Sequence, residues 1–239
     1  GNPDIFNLLG QVYKSENFEK ALEFYNNALH LSEDKESIQN NIGALYFEFN
    51  KVKRAIHYFK KISNSDGNTK TLLNLAYAYI ADNQFKEGWE KYEYRWKVDP
   101  GDKVVWPLKD KPLWDGKSAS GVLLWREQGI GDDIIFLGLV PEAYEKAGKD
   151  MTVLIDPRLV AMCERSMPGI EFLPAVKGSV QEDRFNYHLP MGSLPRLFRS
   201  SEEDFSKTRE SYLKADMERV EVLRKELGVE GKKVIGISW

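Results

Sequence analysis

The chain has one cysteine, Cys163, in 239 residues. An internal disulfide is therefore excluded, and so is a zinc cage built from cysteines. A reducing compartment, and with it a cytoplasmic location, is the simplest expectation. Histidine is almost as scarce: His30, His57 and His188 are scattered, without carboxylates at ligand spacing, so no metal site is expected. A charge excess of one sign is also missing. The net charge of −3 leaves no basic footprint for nucleic acid. No apolar run approaches the roughly 20 residues of a membrane span, and no signal-peptide pattern opens the chain. There is no Walker-type phosphate loop and no dinucleotide fingerprint.

What is present begins with a repeat. Leu9-Gly10 with Tyr13, Ile42-Gly43 with Tyr46, and Leu75-Ala76 with Tyr79 share a small residue followed three positions later by tyrosine, and the small residues are spaced 33 apart. A second small residue follows each (Ala21, Ala55, Gly88), then an aromatic four later (Tyr25, Phe59, Tyr92). Small residues at these places let paired helices approach, and the aromatics fill the gaps between pairs. Residues 1–97 resemble the tetratricopeptide repeat, a helix-turn-helix of about 34 residues. The first copy is one residue short between Gly10 and Ala21, and the usual proline between copies is absent. The first copy also lacks a polar cap, which leaves room for further copies upstream. In such arrays asparagines on the concave face can hold a ligand backbone, which nominates Asn7, Asn41 and Asn74 for binding a protein or peptide partner; solvated polar positions are the simpler reading.

Residues 98–120 read as an arm. A Val98-Asp99-Pro100-Gly101-Asp102 turn is followed by Trp106-Pro107 and by Pro112-Leu113-Trp114-Asp115-Gly116. Two tryptophans beside prolines are too apolar for a free linker, so the arm is expected to pack on its neighbours.

Residues 121–231 alternate like an α/β domain. The apolar run Val122–Trp125 suits a strand buried on both faces. It runs into Glu127-Gln128-Gly129-Ile130-Gly131-Asp132, a glycine-bearing turn with an acidic residue where a helix starts. A helix over Ile134–Ala147 broken near Pro141, a strand at Met151–Ile155, a helix from Pro157 to about Ser166, and strands at Ile170–Leu173 and Phe185–Leu189 follow. Ser193 then caps a short helix, Ser200–Lys207 is a polar loop, and Met217–Leu227 is an amphipathic helix. Lys233–Ser238 reads as a further strand, the first of a second lobe over 232–239. The expected fold class is thus α + α/β: a helical solenoid joined to a Rossmann-like parallel-sheet lobe.

The whole chain resembles bacterial tetratricopeptide-repeat proteins that carry a glycosyltransferase-like C-terminal region. The residues that carry this are Gly88-Trp89, Tyr94-Arg95-Trp96, Trp114-Asp115-Gly116, the Glu127–Asp132 stretch, Met167-Pro168-Gly169, Ser193-Leu194-Pro195, Tyr212-Leu213 and Gly236–Trp239. More distantly it is similar to heptosyltransferases and to protein O-GlcNAc transferases, both of the two-lobed GT-B group. The resemblance implies that this chain holds the acceptor-side lobe and only the first strand of the donor lobe. It implies an inverting sugar transfer in which Asp132 is the base, with Glu127, Gln128, Gly129, Gly131 and His188 around the substrate. The full-length protein would use a nucleotide-sugar donor; the chain itself carries no cofactor and is expected to be inactive alone. The acceptor would be a glycan or a protein. The alternative is an interaction module whose α/β part is a scaffold without chemistry, with Asp132 as a helix cap only.

Overall fold

The computed structural model describes residues 1–62, 68–98, 107–206 and 211–236. The expected turn at residues 99–102, Trp106, and the Ile237–Trp239 end of the expected last strand lie outside these residues. The chain divides into two compact units: Gly1–Val104 with Pro195–Lys207, and Val105–Leu194 with Thr208–Trp239.

The first unit contains three helical hairpins. They are α1 (Pro3–Tyr13) with α2 (Phe18–Leu31), α3 (Lys35–Glu48) with α4 (Val52–Ile62), and α5 (Thr69–Ala81) with α6 (Phe85–Tyr92). Four of these helices start at a side-chain cap. Asn2, Asn17, Asp34 and Asn68 each accept a hydrogen bond from a backbone N–H of the first turn. The second and third hairpins turn through Asn50 and Asn83, whose φ values are 55° and 59°. Asparagine is one of the few residues besides glycine that enters this left-handed region at little cost.

The small and aromatic residues of the repeat meet as their spacing requires. Ala21 and Ala55 are fully buried. A Cβ added at Gly10 would stand 2.5 Å from the Tyr25 ring, and one at Gly43 would stand 2.6 Å from the Phe59 ring. Each ring therefore lies directly on the backbone of its partner helix, which only a residue without a side chain permits.

The second unit is built on a four-stranded, wholly parallel sheet of order β3-β2-β1-β4. Its strands are β1 (Val122–Trp125), β2 (Met151–Ile155), β3 (Glu171–Pro174) and β4 (Tyr187–Pro190). β1 and β2 are buried at every residue, as central parallel strands must be. α7 (Ile130–Leu137) and α8 (Val140–Lys146) join β1 to β2, and α9 (Val160–Ser166) joins β2 to β3. After β4 come α10 (Leu194–Phe198) and α11 (Glu202–Phe205), which from Pro195 on belong to the first unit, and then α12 (Met217–Glu226) of the second.

Several boundaries differ from the sequence expectation. The helix after β1 starts at Ile130, with Gly129 rather than Asp132 at its cap position. The break falls at Gly138-Leu139, and Pro141 sits in the first turn of α8, where its missing N–H costs no hydrogen bond. The expected polar loop at 200–207 holds α11, because Asp204 Oδ2 accepts from the Ser200 and Ser201 backbone and so caps a turn. Lys233–Gly236 is not strand: Val234 and Ile235 are exposed, and among the described residues no strand supplies them with backbone partners.

One segment of the arm lies against the second unit's sheet. His188 N–H donates to the Pro112 carbonyl at 3.2 Å, and Trp114 N–H donates to the His188 carbonyl at 2.9 Å. The segment Pro112–Trp114 thereby runs beside β4 and covers its outer edge. Trp114 is buried, and its indole N–H donates to the Lys117 carbonyl.

Candidate active site at the carboxyl edge of the sheet

The strand order places β1 in the middle, with β2 and β3 to one side and β4 to the other. The order of connection reverses between β1 and β4. In open α/β sheets the crevice outside the carboxyl ends at such a point is where ligands bind. Two loops meet there: Arg126–Gly129 after β1, and Met191–Ser193 after β4.

Glu127 reaches across this crevice. Its carboxylate is packed against Gly192, where an added Cβ would collide with Glu127 Oε1. Gln128, Gly129 and Gly131 are exposed at the mouth. Asp132 is half-buried, at the third position of α7, and its Oδ2 accepts the Gly129 N–H at 3.1 Å. This is the carboxylate half of a capping box, and it closes the turn on itself. Among the described residues Oδ1 of Asp132 accepts no hydrogen bond.

Beside this loop lies a charged network that residue types alone did not single out. Asp133 is buried, and its Oδ2 stands 2.8 Å from Arg126 Nε, without the alignment of a hydrogen bond. Arg126 Nη1 donates to Asp156 Oδ2 at 3.1 Å, and Nη2 donates to the Gln128 carbonyl at 2.8 Å. Arg126 thus ties β1, α7, the end of β2 and the glycine loop together. Asp156 in turn accepts from Arg158 Nε and Nη2, both at 2.9 Å.

The two aspartates respond in opposite directions. Burial pushes the Asp133 carboxyl up to about 6, against the pull of the Arg126 guanidinium. The Arg158 side chain and backbone N–H hold Asp156 far below the usual carboxylate range. A signal for this cluster was present in the sequence. Arg126 and Asp156 each directly follow a strand that is mostly apolar, and parallel neighbours bring such positions side by side.

His188 is not at the mouth. β4 runs to Pro190, so His188 is its second residue, and only 1% of it is exposed. The Trp125 indole N–H donates to its Nδ1 at 2.9 Å, and its Nε2 faces the Lys111 carbonyl at 3.2 Å. These partners assign the proton to Nε2 and a neutral ring. Burial pushes its pKa down. His188 is a packed residue of the sheet, and both ring nitrogens are committed.

The three asparagines of the helical unit are also engaged. Asn41 Nδ2 donates to Asn7 Oδ1 at 2.9 Å, and Asn74 Nδ2 donates to Asn40 Oδ1 at 3.0 Å. The buried Thr71 hydroxyl donates to the same Asn40 oxygen at 3.0 Å. These amides are rungs between successive hairpins. The atoms left over among the described residues are Asn7 Nδ2, Asn41 Oδ1 and Asn74 Oδ1.

Among the described residues no group of three His, Cys, Asp or Glu side chains is placed to hold a metal ion. No helix there is long and apolar enough to cross a membrane. Comparison with known families finds no family model that matches the chain. One curated relative is protein FlbA of Caulobacter vibrioides, which is 25% identical over 240 residues. The match takes in 92% of this chain and 40% of that protein, so the chain spans less than half the length of the relative.

Proposed function

We propose that this chain is the repeat array and acceptor-side lobe of an inverting glycosyltransferase that uses a nucleotide-sugar donor, working in the cytoplasm. The observation that carries the reading is the placement of Asp132. It is a partly exposed carboxylate, with one oxygen held by the Gly129 N–H and the other without a partner among the described residues, at the carboxyl edge of the first strand beside the β1/β4 crevice. In this reading Asp132 takes the proton of an acceptor hydroxyl as that oxygen attacks the anomeric carbon. The bond from the anomeric carbon to the donor phosphate oxygen breaks, and the nucleoside diphosphate leaves with the electron pair. Gly129 and Gly131 leave the mouth open, and Glu127 lies within the crevice.

The three hairpins are read as tetratricopeptide repeats that present a protein or glycan acceptor, using the amide atoms not spent on the rungs. The donor would meet a second lobe, and the 239-residue chain alone is expected to turn over nothing.

The test uses the full-length protein with a panel of nucleoside-diphosphate sugars. Asp132→Asn should lower turnover by about 100-fold or more. The asparagine carbonyl can still accept the Gly129 N–H, so the loop and the fold should survive. Unchanged turnover in a folded variant ends the assignment.

A second reading is favoured by one observation: the Asp132 carboxylate already has a structural task as a helix cap. In that case the sheet unit is a scaffold and the chain is an interaction module. A full-length protein with no affinity for any nucleotide sugar, but with a protein ligand lost on Asn41→Ala, would support it.

A further inference from the structure

The outer face of α1 is built like an interface, and among the described residues nothing covers it. Ile5, Leu8 and Val12 fall at i, i+3 and i+7, so they form one stripe along the helix. All three are more than half exposed. Scattered exposed apolar residues are ordinary, but three in register on one helix are not.

The other two hairpins show what such a stripe does. At the 33-residue spacing set by Gly10, Gly43 and Ala76, Ile5 and Val12 correspond to Ile38 and Leu45 of α3, and to Thr71 and Ala78 of α5. Ile38 and Leu45 are 3% and 1% exposed, and Thr71 and Ala78 are fully buried. α3 packs on α2 as well as on its own partner α4, and α5 packs on α4 as well as on α6. In both junctions the covering helix directly precedes the covered one in the chain. Ser32–Asp34 suffices to connect α2 to α3. Phe18 of α2 shows the manner of contact, meeting Tyr46 edge-on at 5.4 Å.

We infer that the stripe Ile5-Leu8-Val12 is the seat of a further amphipathic helix of the same polypeptide, lying directly ahead of α1 and covering it as α2 covers α3. The matched part is 40% of FlbA, so that relative is a longer polypeptide. The junction differs from the other two in one respect. Leu8 stands where α3 and α5 carry Asn41 and Asn74, the donors of the inter-hairpin rungs. Those rungs join the first helices of successive hairpins, α1 to α3 and α3 to α5, so with Leu8 in α1 the first helix of a preceding hairpin has no amide to receive, and an aliphatic residue is expected there at the place of Asn7 and Asn40.

A second copy of this chain fits the stripe less well. The far end of the array does not present a bare α6, because Phe85 at its start is in ring contact with Phe205 at 4.6 Å.

The experiment compares the 239-residue chain with a longer form of the same protein that begins about 35 residues earlier, one repeat length. Leu8→Glu is introduced into both. The expected result is a drop in Tm of about 4 °C or more for the longer form and no change for the shorter one, where Leu8 faces water. Hydrogen exchange at the α1 amides should slow in the longer form. If Leu8→Glu prevents the longer form from folding, Leu8→Ala reads the same difference at smaller cost. Equal effects in both forms, or equal exchange at α1, would overturn the proposal. So would a dimer of the 239-residue chain that Leu8→Glu dissolves, which would make a second copy the occupant.

Discussion

Arg126 Nε stands 2.8 Å from the buried Oδ2 of Asp133, yet the two are not aligned for a hydrogen bond. Burial outweighs the pull of the Arg126 guanidinium and the Asp156 backbone N–H, and the Asp156 carboxylate pushes the same way as burial, so Asp133 keeps a pKa of about 6.

The pH dependence follows from the sign of this shift. A carboxyl whose folded pKa lies above its unfolded value binds protons more tightly when folded, so it stabilises the fold when protonated. For Asp133 that contribution is present below about pH 4 and is lost as pH rises through about 6. Asp156 is shifted the other way, so its contribution is present above the ordinary carboxylate range and is lost only at lower pH. Urea unfolding between pH 4 and 7 should therefore show a falling component of about 3 kcal/mol at most, which Asp133→Asn removes. A slope that persists in Asp133→Asn would assign it to another group.

Asn40 accepts from both Thr71 Oγ1 and Asn74 Nδ2. Asn40→Leu leaves the Thr71 hydroxyl buried without its acceptor, at a cost of about 1–3 kcal/mol. Asn7→Ala, which loses one half-buried rung, should cost under about 1 kcal/mol. Thermal unfolding of the two variants ranks them; the reverse order would mean that the Asn40 rung does not hold the second and third hairpins together.

Gly43 and Gly131 test close approach against open space. Gly43→Ala pushes a methyl into the Phe59 ring and should cost about 1–3 kcal/mol. A Cβ at Gly131 meets nothing within 4 Å, so Gly131→Ala should stay within about 0.5 kcal/mol of the parent. Denaturant midpoints read both. A neutral Gly43→Ala would show that helix α3 can move away from α4 freely.

Cys163 is fully buried, and burial pushes its thiol up to about 11. Thiol reagents act on the thiolate, so this side chain should stay unmodified in the folded chain at pH 7 and react as the domain opens. Rapid labelling without denaturant would place the thiol nearer the surface than α9 puts it.

Much of this architecture was legible because its causes are local. The 33-residue register follows from Gly10, Gly43 and Ala76 against Tyr25, Phe59 and Tyr92, and each glycine proves to lie under a ring. Val122–Trp125 is apolar at every position, and Met151–Ile155 at every position but Thr152, because both of their faces are covered. The candidate site was less legible, since its parts come from separate strands. In the sequence alone Asp133 reads as an acidic residue that favours the dipole in the first turn of a helix. Only the pairing of β1 with β2 sets Arg126 and Asp156 around it. His188 misled because the strand that carries it begins and ends later than its apolar pattern suggests. That shift moves the ring from the rim to the interior. Asn7 and Asn41 are each surface-compatible alone, and their mutual bond depends on a partner 34 residues away.

The backbone rail of Pro112–Trp114 along β4 bears on how this unit can be cut. A piece that starts at Gly121 would keep all four strands, but it would strip one border of its hydrogen-bonding cover and expose a short run of unpaired amides and carbonyls. Such a trimmed piece should be sticky, recruiting foreign strands, whereas one that starts before Lys111 should remain monodisperse. The tryptophan-rich stretch is thus a selvedge that keeps the sheet from fraying.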